Sequence, residues 1–288
     1  AVDAFERALS LEPDRPDTLA ALGQTFMLLE RFEDASRVFA KAASLSPDEP
    51  DLWFRKGICE ERAGRYPEAV SSLDEALSRD PSNQSAWFHR ALALQRSGDL
   101  KGALAALDHV LALDREDRES WLRRGEILRR LGRHEEGLSA LDRSLGLAPE
   151  NPEAWFEKGL SEKELGRQDE AIGSLRRALA LAPQHGPAWC ALGLTLMEKG
   201  LTEKAVEGLA RAVVFDPALT RAWYYLGVGL VDLRRFREAS DAFSNCLALD
   251  AGNPNAWYYQ GFVQNRLGRH RKAIESLDRA LAMDPENE

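Results

Sequence analysis

Seven tryptophans divide this chain into equal steps. They stand at Trp53, Trp87, Trp121, Trp155, Trp189, Trp223 and Trp257, and every interval is 34 residues. One further step back falls on Leu19, an apolar residue in the same role. A single globular core has no reason to space its largest side chain so evenly. A fixed interval of this length means one supersecondary unit repeated, each copy burying its apolar face on its neighbours. Numbering each unit from three residues before its tryptophan gives eight repeats: 16–49, 50–83, 84–117, 118–151, 152–185, 186–219, 220–253 and 254–287. Residues 1–15 are then the second half of an earlier unit.

Other slots recur with the same period. Slot 8 is glycine in every repeat except the third, where Ala91 stands. Slot 20 is alanine, with Gly137 as the exception, and slot 24 is always Phe or Leu, from Phe39 to Leu277. Small residues at 8 and 20 let two helices approach closely, and the bulky residues at 4 and 24 fill the space that remains. Glycines at slot 15, such as Gly64, Gly98, Gly132 and Gly166, suit the left-handed conformation that ends a helix. Proline at slot 32, as in Pro47, Pro81, Pro149, Pro183, Pro217 and Pro285, stops the second helix. Between these marks apolar residues such as Leu104, Leu107 and Leu111 fall at helical spacing. The pattern predicts two helices per repeat and 17 in all. A tryptophan buried at slot 4 predicts a cost of about 3–5 kcal/mol for Trp155→Ala.

These marks together resemble the tetratricopeptide repeat (TPR) family over essentially the whole chain. The resemblance implies an all-α fold: antiparallel helix pairs stacked into a right-handed superhelical solenoid with a concave groove that binds peptides or partner proteins. The chain departs from the family at slot 7, usually leucine, which here reads Lys56, Arg90, Arg124 and Lys158 in the second to fifth repeats. Slot 25 carries Asp74, Asp108 and Asp142 in three of those repeats. We therefore expect ion pairs within each helix hairpin: Lys56–Asp74, Arg90–Asp108 and Arg124–Asp142. Lys158 faces Arg176 in this scheme, and Glu162, one turn along, is its expected partner.

Composition narrows the function. A net charge of −9 argues against general nucleic-acid binding, which needs a dominant basic field. No run of 18 apolar residues is present to span a membrane. Cys59, Cys190 and Cys246 share no short spacing and read as reduced thiols in small packing slots. His89, His109, His134, His185 and His270 occupy different slots and form no His-x-x-x-His pair, and the sequence at 134–137 lacks the second histidine of a zinc protease. The expectation is a non-enzyme with no cofactor and no metal, located in the cytoplasm.

By the family's geometry, slots 2, 5, 6, 9, 12 and 13 of the first helix line the groove. The second to fourth repeats place Arg55, Arg62, His89, Arg96, Arg123, Arg129 and Arg130 there, with Glu61, Glu119 and Glu126 in partial compensation. The last two repeats place Tyr224, Tyr225, Tyr258, Tyr259 and Phe262 there. Arginine supplies forked donors for carboxylates and tyrosine supplies rigid contact area. The expected partner is a protein or peptide segment with acidic portions and apolar anchors. The family's clamp for chaperone C-termini needs lysine at slot 5, which no repeat has. Two other roles are consistent with the sequence: a self-assembling structural module, and a regulatory segment of a larger enzyme. Ala1 falls on slot 20, so the chain is expected to be cut from a longer array. Ile274, Leu281 and Met283 are expected to be left uncovered and to drive weak self-association.

Overall fold

The computed structural model describes residues 1–284; Pro285, a slot-32 proline, and the last residues of the eighth repeat lie outside the described residues. Among the described residues the chain forms seventeen α-helices and no strand. The first helices of the repeats are α2 (Pro16–Leu28), α4 (Pro50–Arg62), α6 (Gln84–Ser97), α8 (Arg118–Arg130), α10 (Pro152–Glu164), α12 (Gly186–Glu198), α14 (Thr220–Asp232) and α16 (Pro254–Arg266). The second helices are α3 (Phe32–Leu45), α5 (Tyr66–Arg79), α7 (Leu100–Leu113), α9 (His134–Leu147), α11 (Gln168–Leu181), α13 (Thr202–Phe215), α15 (Phe236–Leu249) and α17 (His270–Met283), preceded by α1 (Val2–Leu11). The helices gather into two compact units, Ala1–Leu147 and the chain from Ala148 onward. Within each unit antiparallel pairs stack side by side as a helical solenoid.

Slot 24 is the centre of each hairpin. Phe39, Leu73, Leu107, Leu141, Leu175, Leu209 and Phe243 have no exposed surface at all. All of these except Leu107, whose repeat has Ala91 at slot 8, sit against the slot-8 glycine of their own repeat, which explains the glycine there. A methyl group on Gly57 would lie 2.7 Å from Leu73 Cγ, and one on Gly227 would lie 2.6 Å from Phe243 Cζ. Such contacts force the neighbour to move, so the close helix pair selects glycine.

The first helix ends on a left-handed residue at slot 15. Gly64, Gly98, Gly132, Gly166, Gly200 and Gly268 have φ between 72° and 93°. The first and seventh repeats place Glu30 (φ 56°) and Arg234 (φ 59°) in the same conformation. Glycine is therefore the preferred residue at this turn but not a requirement of it.

The slot-4 tryptophans are half-buried, which corrects the expectation of burial. Each indole N–H reaches back to the carbonyl of slot 32 in the preceding connection: Trp53 to Pro47 at 3.0 Å, Trp155 to Pro149 at 2.8 Å, Trp189 to Pro183 at 2.8 Å. Arg115 and Ala251 accept the same bond at 2.9 Å where proline is missing. The carbonyl, not the proline ring, is what the tryptophan recognises. Cations cover the ring face. Lys56, Arg90, Arg124 and Lys158 at slot 7 lie 5.3–5.8 Å from the ring of their own repeat's tryptophan.

Candidate functional site

In the first unit, slots 6, 9, 12 and 13 of α4, α6 and α8 line one cleft of about 560 Å³. It brings together Arg62, His89, Arg96, Arg123 and Arg130, five of the seven basic residues expected there from the sequence; Arg129 does not line it. Arg55 lies apart, in a neighbouring cleft of about 450 Å³ with Met27 and Ile58, where it pairs with Asp51 at 2.6 Å.

The floor of the larger cleft is internally satisfied. His89 Nδ1 lies 2.7 Å from Glu61, Gln95 donates to Glu126 at 2.8 Å, and Arg123 pairs with Glu119 at 2.9 Å and Glu126 at 3.2 Å. Burial pulls the Arg123 pKa down, but the two carboxylates outweigh it and the net direction is up. The rim is different. Arg62, Arg96 and Arg130 occupy slot 13 in three successive repeats, all are exposed, and none meets a carboxylate among the described residues. They end their helices, where the dipole favours a cation. An approaching anion would compete with no internal partner.

The expected slot-7 ion pairs are corrected by one repeat. Arg90 Nε pairs with Asp74 at 2.6 Å, not with Asp108, and Arg124 Nε pairs with Asp108 at 3.0 Å, not with Asp142. Lys56 does not reach Asp74; it donates to Ser72 Oγ at 3.0 Å and lies 3.5 Å from Glu60. Slot 7 thus faces slot 25 of the preceding repeat. Gln260 donating to Ser244 at 2.9 Å is the uncharged version of the same contact. Lys158 lies 3.9 Å from Glu162, the partner expected for it.

The sequence reading missed a second set of polar contacts. Slot 11 carries Glu60, Glu162 and Gln264, all less than 9% exposed. In those three repeats slot 23 is serine, and each hydroxyl donates inward: Ser72 to Glu60 at 2.5 Å, Ser174 to Glu162 at 2.6 Å, Ser276 to Gln264 at 3.0 Å. Where slot 11 is Leu or Phe, slot 23 is Val38, Ala106, Ala140, Gly208 or Ala242. That covariation inside one sequence was the available signal.

In the second unit the expected aromatic residues divide. Tyr224 packs edge-on to Phe243 and Tyr259, and Tyr259 stacks on Phe243 with centroids 5.5 Å apart. Burial first, then the neighbouring Tyr259, pushes the Tyr224 phenol up to about 12. Arg221 covers Tyr225 and Arg266 covers Phe262. Tyr258, 46% exposed, is the ring most open to a ligand. Ile274, Leu281 and Met283 are 61%, 50% and 47% exposed.

The three cysteines are buried and unpaired, with thiol pKa values raised by burial, that of Cys59 to about 12. Among the described residues no group of three or more His, Cys, Asp and Glu is arranged to hold a metal ion. No described helix is long and apolar enough to cross a membrane.

Comparison with curated proteins gives no match. Among solved structures, a tetratricopeptide repeat protein from Parabacteroides merdae ATCC 43184 aligns with a TM-score of 0.68 at 16% identity, over 92% of this chain and 98% of that one. A chain of the APC/C hetero-tetramer Cut9-Hcn1 aligns at 0.62 and 18% identity, over 99% of this chain and 56% of that one. YrrB, described as a TPR protein with an unusual peptide-binding site, aligns at 0.56 and 24% identity, over 63% of this chain and 94% of that one. At these identities the likeness is one of fold. A family model for the tetratricopeptide repeat matches residues 1–50, 20–84, 60–114, 88–152, 122–186, 156–220 and 224–288. With matches from end to end, on the 34-residue period that the tryptophans mark, the chain belongs to the tetratricopeptide repeat family.

Proposed function

We propose that this chain is a non-catalytic protein-interaction scaffold whose first-helix face in residues 1–147 holds a partner segment bearing acidic side chains. The observation that carries this reading is the row of Arg62, Arg96 and Arg130, exposed and without a carboxylate partner among the described residues, beside a floor whose own charges are paired. A repeated cation at one slot matches anions displayed along an extended chain, and guanidinium forks bind carboxylates with defined geometry. The peptide-binding site named for YrrB is support from a protein of the same fold. In the second unit Tyr258 offers an apolar anchor.

The test uses a fluorescein-labelled peptide of alternating Glu and Ser, followed by anisotropy. It should bind the wild-type chain, and the triple variant R62E/R96E/R130E should bind at least about tenfold more weakly, a loss of about 1.4 kcal/mol. Affinity should fall as salt shortens the Debye length from about 10 Å at 0.1 M to about 3 Å at 1 M. Equal binding by the triple variant, or by a matched Lys–Ser peptide, removes the proposal.

A second reading, weak self-association, is favoured by the exposure of Ile274, Leu281 and Met283. Sedimentation over a concentration range should show association in the wild type and none in L281K/M283K. A chain monomeric at high concentration rules this reading out.

A further inference from the structure

We infer that the second unit carries a separate binding cleft, between α11 and α13, for a short extended peptide in which an aliphatic residue is flanked by acidic ones. The cleft measures about 540 Å³ and lies over α12, on a different set of slots from the first-helix face. It does not rest on the function proposed above.

Its origin lies in the register of slots 7 and 25. Where Arg90 meets Asp74, Arg124 meets Asp108 and Gln260 meets Ser244, a polar bridge joins a first helix to the second helix before it. In the sixth repeat slot 7 is Leu192 and slot 25 of the preceding repeat is Arg176, so no such bridge can form. Slot 23 is Gly208, the only glycine at that slot, and it brings α13 close to the α12 backbone, where a methyl group would lie 3.4 Å from Gly193 Cα. The floor is an apolar stripe of half-buried Trp189 with Leu192 and Leu196, 5% and 4% exposed, at slots 4, 7 and 11.

The walls carry charge of one sign in excess. Arg176 on α11 and Lys204 and Arg211 on α13 line the cleft against a single acid, Glu207. Among the described residues Arg176 and Lys204 meet no carboxylate, and the guanidinium of Arg211 lies 4.6 Å from the Trp189 ring centroid. Lys204 begins its helix and Arg211 lies two turns on, so the cations flank the apolar stripe along its length. The stripe spans seven residues of helix, about 10 Å at 1.5 Å each. Three extended residues at about 3.3 Å each cover that distance. The cleft is not enclosed, which suits a side chain laid across it and not a long acyl chain needing enclosure.

Trp189 supplies the readout, because its indole N–H is held by Pro183 at 2.8 Å and both residues line the cleft. The probe is the blocked pentapeptide Ser-Glu-Leu-Glu-Ser, titrated into the whole ¹⁵N-labelled chain. The Trp189 indole resonance, assigned with Trp189→Phe, should shift saturably while the other six indole signals stay in place. Ser-Lys-Leu-Lys-Ser and Ser-Glu-Ser-Glu-Ser should move it at least about tenfold less at equal concentration. Arg176→Glu and Arg211→Glu should each weaken binding about tenfold. The variant R62E/R96E/R130E should leave this titration unchanged, which separates this site from the first-helix face. An unmoved Trp189 resonance at millimolar peptide overturns the inference. So does equal binding of the lysine peptide, or binding of octanoate in place of the peptide.

Discussion

The serine–glutamine contact between slots 23 and 11 of the last repeat can be tested by a double-mutant cycle. Ser276, 4% exposed, donates at 3.0 Å to the side-chain oxygen of Gln264, 8% exposed. Ser276→Ala deletes the donor and leaves a buried amide oxygen without it, at a cost of about 1–3 kcal/mol. Gln264→Leu leaves the hydroxyl without its acceptor. That hydroxyl can turn to the carbonyl one turn back in its own helix, so the cost falls at the lower end, about 1 kcal/mol. The double variant recreates the pairings Leu94/Ala106, Leu128/Ala140 and Leu230/Ala242, which other repeats already use. It should lie within about 1 kcal/mol of wild type, because exchanging both partners for apolar groups is nearly neutral. The single costs sum to about 2–4 kcal/mol, so the coupling energy is about 1–4 kcal/mol. Stacked repeats open in sections, so one melting temperature would blend several events. Amide hydrogen exchange across α16 and α17 reads the affected hairpin directly. Single costs that add to within about 0.5 kcal/mol in the double variant would refute the pairing as an energetic unit.

The glycines make a paired prediction. Gly159→Ala puts a methyl 2.7 Å from Leu175 Cγ and should destabilise by about 1–3 kcal/mol, whereas Gly173→Ala meets nothing within 4 Å and should stabilise α11 by about 0.5–1 kcal/mol; urea denaturation of each variant checks both signs. Glu30→Gly and Arg234→Gly relieve side chains held at positive φ, and each should stabilise by about 0.5–1 kcal/mol, measured by hydrogen exchange in the adjoining helices. Trp155→Ala should cost about 2–3 kcal/mol, below the figure for a fully buried ring, since the indole is half-exposed and part of the loss is its bond to Pro149. At pH 8 a thiol reagent should leave Cys59, Cys190 and Cys246 unmodified until the chain is unfolded, because burial raises each thiol pKa and so keeps it protonated; rapid labelling of the native chain would contradict this.

The candidate site was legible in part, and its residues show why. The 34-residue period together with the slot geometry that the family resemblance implies selects which side chains share the first-helix face, so Arg62, His89, Arg96, Arg123 and Arg130 were found together. Spacing does not say which of them are already engaged. His89 and Arg123 are tied to Glu61, Glu119 and Glu126, while Arg62, Arg96 and Arg130 are not, and that distinction depends on side-chain reach across helices. Tyr224 and Tyr259 shared the groove slots in the sequence, yet both rings pack on Phe243 and are partly buried against the core.

The sequence by itself determined the local architecture. A 34-residue period, glycine opposite a bulky residue and a left-handed turn residue are short-range demands, and they specify each helix, its end and its hairpin partner. The partner of slot 7 was another matter. Slot 25 lies eighteen residues ahead in the same repeat and sixteen residues behind in the preceding one, and a period of 34 makes the two choices equivalent on paper. Stacking breaks that equivalence. In three dimensions slot 7 points at the preceding second helix, so Arg90 meets Asp74 and Arg124 meets Asp108. The same register leaves Leu192 and Arg176 unbridged and opens the cleft over α12, which periodicity could not show because it concerns the fit between repeats and not the content of any one of them.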